Sequence, residues 1–465
     1  MPLHWLARFL AAWLLLLLGP ALAAEPPGNL RWDREHRRVD ANFHDWPLDQ
    51  VLERIASATN WRVLVEPGLN ATVAARFEQR SEREALALLL GDLNFALLPG
   101  RDTPSRLLVF RSQSSLATVP IEPRATSPGA PESSQPIPNE LIVRLKPDAS
   151  ITIEELARRL GARMAGSIDS LDAHRLVFDD AEAADSARAL LAADDDVASV
   201  EANHPLSLPS RIDPLPGAIP PPLGLRARPI TDGSSVIVAL LDTSLPHGGL
   251  AHPDFLLPTV SLTPPSGVPT EGLTHASGMF ETILQGLSVT QSGPDGTPVR
   301  ILPIDIYGGR SQTSTFELAQ GIVAALERGA DILNLSLSGP NPSPVVQDVL
   351  RQASAAGVLA FAAPGNQPTG TPTYPAAYPD VLAVTASDHR GQIAPYANRG
   401  TFVDLIAPGT SIVPHAGEAF VVQGTSVSTA YASGLAAGLL AQPNTSPSTV
   451  TTHLHDRIGF RHLPP

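Results

Sequence analysis

Four short stretches in the second half of the chain carry side chains that could act on a carbonyl group. Asp242-Thr243-Ser244, with His252-Pro253-Asp254 soon after, is the first. Thr274-His275-Ala276-Ser277 is the second, at the predicted start of a helix. Ala363-Pro364-Gly365-Asn366 follows a predicted strand, and Gly424-Thr425-Ser426-Val427-Ser428-Thr429 opens a predicted helix of small residues. In chain order they supply a carboxylate, an imidazole, an amide and a hydroxyl. Nucleophilic acyl transfer needs a hydroxyl to attack, an imidazole to take its proton, a carboxylate to fix the imidazole tautomer, and donors for the oxyanion. A serine at a helix N-terminus also gains from the positive end of the dipole and from exposed N–H groups. Taken singly, each residue has an ordinary structural use: Asp or Asn in a turn, Ser as a helix cap. Their joint order is what points to chemistry.

These stretches fall at the ends of predicted elements. Residues 236–241 form a short continuous apolar strand, suited to a buried parallel sheet, and Asp242 ends it. Strands at 299–304, 331–335, 358–362 and 381–385 alternate with helices at 315–328 and 344–356. That is an α/β, doubly wound pattern with a mostly parallel sheet, whose ligand sites lie beyond the carboxyl ends of the strands.

With these residues in place, 228–465 resembles the subtilisin-like serine peptidases. Asp, His, Ser is that family's own chain order. Further matching stretches are Asp331-Ile332-Leu333-Asn334-Leu335-Ser336-Leu337, Tyr374-Pro375-Ala376-Ala377-Tyr378-Pro379 and Ala407-Pro408-Gly409. The resemblance implies Asp242 as orienting carboxylate, His275 as general base and acid, Ser426 as nucleophile and Asn366 as oxyanion donor, helped by the Ser426 N–H. It also implies that Ser336, Leu337, Ser338 and Gly339 form an edge on which a peptide substrate pairs as an added strand. His252 and Asp254 match a family motif and are read as structural; His247 has no assigned role. Departures exist. Ala276-Ser277 replaces the usual Gly-Thr after the base, Ser244 a usual glycine, and Ala430 a usual proline. A second register would align His275 with the family's later, non-catalytic histidine and leave Gly272 at the base position. The first register is preferred, because it sets Asp242 and His275 33 positions apart and brings Thr282-Ile283 into step.

Upstream, two proline-rich segments read as extended linkers, at 113–137 and 205–227, since proline offers no N–H to a ladder or helix. They isolate two small α+β pieces. Residues 138–204 read as strand 140–145, helix 153–160 ended by Gly161, strand 174–178, helix 181–192 and strand 197–201. This piece resembles the inhibitor-type propeptide of the same peptidases, which implies a self-processing precursor. Residues 30–112 show Leu48, Val51, Leu52 and Ile55 at helical spacing, and Ser81 with Glu84 as a capping box. They resemble the short N-terminal domain of secretins and TonB-dependent receptors, which implies a docking role toward an envelope protein partner.

Residues 1–23 read as a signal peptide: Arg8, an apolar run, then Ala21-Leu22-Ala23. An uncleaved anchor is the alternative, although about ten apolar residues are short for a span, which needs about twenty. The expectation is an exported chain, periplasmic or extracellular, in a Gram-negative envelope, with no transmembrane span once mature. With 32 Lys+Arg against 46 Asp+Glu, the charge of −14 speaks against nucleic acid as a partner and leaves protein or peptide substrates. Zero cysteines exclude disulfides, thiolate zinc sites and a cysteine nucleophile. No cofactor is expected; structural calcium is conceivable from scattered aspartates but has no DxDxD-type run behind it. The readings that compete with an active endopeptidase are a catalytically impaired peptide-binding protein and an envelope adaptor.

Overall fold

The computed structural model describes residues 29–33, 38–66, 72–91, 93–98, 105–111, 119–121, 135–208, 211–215, 220, 223–229, 235–246, 248–262, 272–291 and 296–460. The expected leader, His247 and most of the 113–137 segment lie outside these residues. The chain divides into two compact units, 1–128 and 129–465.

In the first unit, β1 (Asn29–Asp33), β2 (Arg38–Pro47), α1 (Leu48–Thr59), β3 (Arg62–Val65), β4 (Thr72–Ser81), α2 (Glu82–Leu90), β5 (Asn94–Leu98), β6 (Arg106–Phe110) and β7 (Val119–Ile121) succeed one another. They form a β1-β2-β4 sheet and a β5-β6-β3-β7 sheet. Leu48, Val51, Leu52 and Ile55 all face the core, as their spacing requires. Ser81 and Glu84 close a reciprocal capping box at the start of α2. Part of the first proline-rich segment is not a linker: β7 pairs antiparallel with β3. Pro120 is tolerated there because β7 is an edge strand.

The second unit opens with β8 (Glu140–Leu145), α3 (Ile153–Leu160), β9 (Arg163–Ile168), β10 (Ala173–Val177), α4 (Ala181–Leu191) and β11 (Val197–Ala202), in the sheet order β11-β8-β10-β9. It continues through β12 (Pro205–Leu206), β13 (Arg211–Pro214), β14 (Val236–Asp242), β15 (Val260–Ser261), α5 (His275–Ser288), β16 (Val299–Asp305), β17 (Thr313–Ser314) and α6 (Thr315–Glu327). Then come β18 (Ile332–Leu335), α7 (Pro344–Ala355), β19 (Leu359–Ala362), β20 (Leu382–Ser387), β21 (Leu405–Pro408), β22 (Thr410–His415), β23 (Glu418–Gln423), α8 (Thr425–Leu440) and α9 (Pro447–Ile458). Seven strands in the order β15-β16-β14-β18-β19-β20-β21 make one sheet, parallel at every pairing.

Two sequence expectations change. The 138–204 piece does not stand apart from the large parallel sheet and its helices: Ile142, Ile168, Leu171 and Ala173 share one buried core with Phe316, Leu318 and Val346. The second proline-rich segment is not a bare linker either, since β12 and β13 are strands paired to β17 and β23. Both lie on sheet edges, where proline's missing N–H does no harm.

Candidate active site

Asp242 is the last residue of β14, at the carboxyl edge of the parallel sheet, and is fully buried. The Thr243 N–H donates to its Oδ1 at 2.7 Å. The Thr243 hydroxyl, 3.2 Å from the same oxygen, also accepts the Ala276 N–H at 3.1 Å, so one side chain ties the strand end to the start of α5. His275 is the first residue of α5, whose N-cap Thr274 forms a capping box with Ser277. Its Nδ1 lies 2.8 Å from each Asp242 carboxylate oxygen. Its Nε2 is buried and carries no hydrogen bond among the described residues. A carboxylate on Nδ1 requires a proton there and leaves Nε2 as the nitrogen able to accept one. The imidazole on Asp242 is that of His275, while Gly272 lies upstream of α5.

Ser426 is the second residue of α8 and is fully buried. Gly424 before it has φ +144°, a backbone conformation that side chains disfavour, so the sharp entry into α8 depends on glycine. The Ser426 hydroxyl donates to the Ser336 carbonyl at 3.2 Å, and the Ser336 hydroxyl donates to the Ser426 carbonyl at 3.2 Å. Helices α5 and α8 meet with almost nothing between them. A Cβ on Gly434 would stand 1.8 Å from the Ile283 carbonyl oxygen.

Asn366 follows β19 after Gly365, whose φ is +93°. Its Oδ1 accepts from the Thr425 N–H at 3.0 Å and from the Thr425 hydroxyl at 3.1 Å. These two bonds fix the amide with its oxygen on the residue before Ser426, leaving the nitrogen as the end that Thr425 does not use.

The 336–339 edge is occupied. Ser338 exchanges two backbone hydrogen bonds with Ser207, at 3.0 and 3.1 Å, and Gly339 pairs on its other side with Tyr374. Leu206 is buried against Gly339, where a Cβ would stand 2.8 Å from its Cδ2. Leu337 is buried in the core behind this edge. His252 and Asp254 stand away from this cluster. His252 Nδ1 is 2.8 Å from Glu281, a fully buried carboxylate on α5 that also accepts the Ala251 N–H, and this hydrogen bond raises the His252 pKa.

Three contributors were missed in the sequence. Thr425 orients Asn366. Asn334 donates to the Ser336 hydroxyl at 2.9 Å and accepts from Ser433 at 3.1 Å, bracing the floor under Ser426. A lone Asn within the apolar strand β18 was a readable signal, because a buried amide needs partners. Tyr307 is fully buried with no hydrogen-bond partner for its hydroxyl among the described residues. Burial, and then the nearby Asp242 charge, push its phenol well above the ordinary range. No group of three or more metal-ligating side chains occurs among the described residues.

Comparison with known proteins places most of the chain. Residues 233–460 match the profile of the Subtilase family, and residues 124–203 that of the Fervidolysin N-terminal prodomain. An alkaline protease of Alkalihalobacillus alcalophilus is 31% identical over 229 residues, which are 48% of this chain and 58% of that protein. The chain thus spans little more than half the length of that relative. Fervidolysin from Fervidobacterium pennivorans, a keratinolytic enzyme related to subtilisin, shares the fold, with a TM-score of 0.54 at 18% identity over 70% of this chain and 58% of that one. Subtilisin Savinase of Lederbergia lenta is 31% identical over 229 residues, covering 48% of this chain and 82% of Savinase. With that much of Savinase matched at that identity, the chain belongs to the subtilase family.

Proposed function

We propose that the chain is an exported serine endopeptidase made as a self-processing precursor. The observation that carries this reading is His275 Nδ1 seated on both oxygens of buried Asp242, with Ser426 opening α8 beside Asn366. In the reaction the Ser426 hydroxyl leaves the Ser336 carbonyl and turns to His275 Nε2. Its proton passes to that nitrogen as Oγ attacks the substrate carbonyl. The oxyanion is met by the Asn366 amide nitrogen and the Ser426 N–H. His275 then gives the proton to the leaving amine, and water repeats the sequence on the acyl-enzyme.

The connector after β11 supports processing in cis. Ser207 is paired with Ser338 and Arg211 with Gln423, and the self-cut is proposed within this connector, between Ala202 and Ala227, away from its prolines. Holding bond and nucleophile on one chain favours an intramolecular cut. The 138–204 piece then stays bound as an inhibitor until degraded. Residues 1–23 are proposed as the export signal. The N-terminal unit, which has its own buried core, is proposed as a docking module for an envelope protein.

Fluorophosphonate labelling and gel analysis test this reading. Wild type yields two bands and labels at Ser426; Ser426→Ala yields one band, no label and no peptide turnover. Equal turnover by both proteins would overturn it. Two intact, unlabelled and inactive proteins would instead favour a catalytically impaired peptide-binding protein.

A further inference from the structure

Among the described residues the first unit has four edge strands, β1 and β4 in one sheet, β5 and β7 in the other. Three of them carry charge or proline, which discourage a further strand. β1 holds Arg31 and Asp33, β4 holds Arg76, Glu78 and Arg80, and β7 holds Pro120. β5, Asn94-Phe95-Ala96-Leu97-Leu98, has neither, although Leu97 and Leu98 are exposed. Pairing decides which groups β5 presents. The Arg62 N–H donates to the Ser105 carbonyl and the Glu66 N–H to the Val109 carbonyl, both at 2.9 Å. Odd-numbered residues along β6 therefore turn their backbone polar groups to β3, and even-numbered ones to β5. Ala96 stands opposite Leu108 and bonds inward. Phe95 and Leu97, its neighbours, direct their N–H and C=O groups to the open edge.

The same two residues line a pocket of about 810 Å³, together with Leu86, Leu93, Arg38 and Arg83. Its apolar part continues the core of this unit, in which Leu86 is buried and Leu93 and Phe95 are partly so. Its lining carries two guanidinium groups against one carboxylate, that of Glu82. Arg83 is exposed, and Arg38 donates to a neutral partner, the Gln79 carbonyl, at 3.1 Å. The carboxylates that open α2 are engaged locally: Glu82 accepts from the Trp32 indole at 3.3 Å and Glu84 from the Ser81 N–H at 3.2 Å. We propose that β5 and this pocket bind an extended segment of a partner protein, apolar in its middle and acidic at its ends. The proposal rests on the reading of this unit as a docking module. The segment adds to the sheet beside β5 and takes the outward N–H and C=O groups of Phe95 and Leu97. Its alternate apolar side chains fill the pocket over those two residues, and its carboxylates meet Arg38 and Arg83. A basic segment would set like charges against the two guanidinium groups, and a wholly polar one would leave the apolar lining in water.

Fluorescence anisotropy on the full-length Ser426→Ala protein, which lacks the candidate nucleophile, tests this. The probe is fluorescein-labelled Asp-Glu-Val-Thr-Val-Thr-Val-Glu-Asp, and its twin carries lysine at each acidic position. The acidic probe is expected to bind saturably and about tenfold more tightly than its twin, the size of two exposed ion pairs. Adding Arg83→Glu, at an exposed site, is expected to reverse that preference. Adding Leu97→Pro deletes an outward N–H on an edge strand, where proline is tolerated, and is expected to abolish binding, whereas Leu97→Val keeps it. Melting curves check that each variant is folded. No saturable binding, equal affinity for the two probes, or full affinity in Leu97→Pro would overturn the inference. Photo-crosslinking in the producing cells, with benzoylphenylalanine in place of Leu97 or of exposed Glu78 on β4, separates the site from the reading beneath it. Protein adducts are expected from position 97. Adducts from position 78 alone would overturn the site and leave the docking module standing, and none from either position would overturn both.

Discussion

The two arms of the connector are held by different means. The β12 arm is short, two strand residues and one further pair, yet it buries Leu206 to 2% exposure among the core residues around Phe316. The β13 arm has four strand residues, none of them buried, and is held by its backbone ladder. One arm is held chiefly by a buried side chain and the other chiefly by its main chain. An apolar side chain in a fitted pocket contributes stabilisation in proportion to the surface it hides. A backbone ladder at an edge contributes small net increments, residue by residue.

Substitutions can break or sharpen this contrast. The largest effect is expected at Asn366, beside the start of α8. Asn366→Ala should lower turnover on the order of 10²–10³-fold, the cost of one oxyanion donor. Steady-state kinetics on a peptide substrate would show it, and unchanged turnover would move the oxyanion role elsewhere. Next comes the contrast itself, measured in the uncut Ser426→Ala precursor by denaturant unfolding. Leu206→Ala should cost about 2–5 kcal/mol, as for other buried leucines. Arg211→Ala should cost less than about 1 kcal/mol, because its partner Asp213 is a surface ion pair at 2.9 Å. Equal losses would erase the distinction.

A separate effect is a slope with pH. Glu201 on β11 accepts from the Ser343 hydroxyl at 2.6 Å, and from the Val345 N–H, at the N-terminus of α7. Burial outweighs these bonds and the nearby Arg144, and pushes its carboxyl up to about 7. The folded state thus holds a proton that the unfolded chain releases near its ordinary value of about 4.5. Stability contributed by that proton is full below about 4.5 and is lost as pH rises through about 7. Melting of the Ser426→Ala precursor should therefore show Glu201→Gln losing less stability than the parent between pH 5 and 8. Parallel curves would count against this reading of Glu201.

Local signals were readable where a few residues decide the outcome. The capping box at Ser81 and Glu84, the Gly161 stop of α3 and the strand end at Asp242 needed only neighbouring residues. Asp242, His275 and Ser426 stand at a strand end or a helix start, and Asn366 lies in the loop after β19, so each sits where local signals are strong. The features that stayed hidden depend on distant partners. β9 lacks a β-branched run in Arg163-Met164-Ala165-Gly166-Ser167, and Gly166 is instead fitted to the Phe316 ring. The β22–β23 hairpin turns through Ala416 and Gly417, with φ of +49° and +81°. Asn-Gly would have announced that turn, and alanine concealed it. The connector's prolines suggested a spacer because nothing local reveals that edges far along the chain would bind them.

One contact in the core reaches beyond packing. Ile283 and Gly434 touch main chain to main chain, so the spacing between the helix of the imidazole and the helix of the hydroxyl is set by atoms common to every residue. Side chains elsewhere in the core can exchange one apolar group for another without altering that spacing. The spacing between His275 and Ser426 is in this way insulated from exchanges of side chain elsewhere in the core.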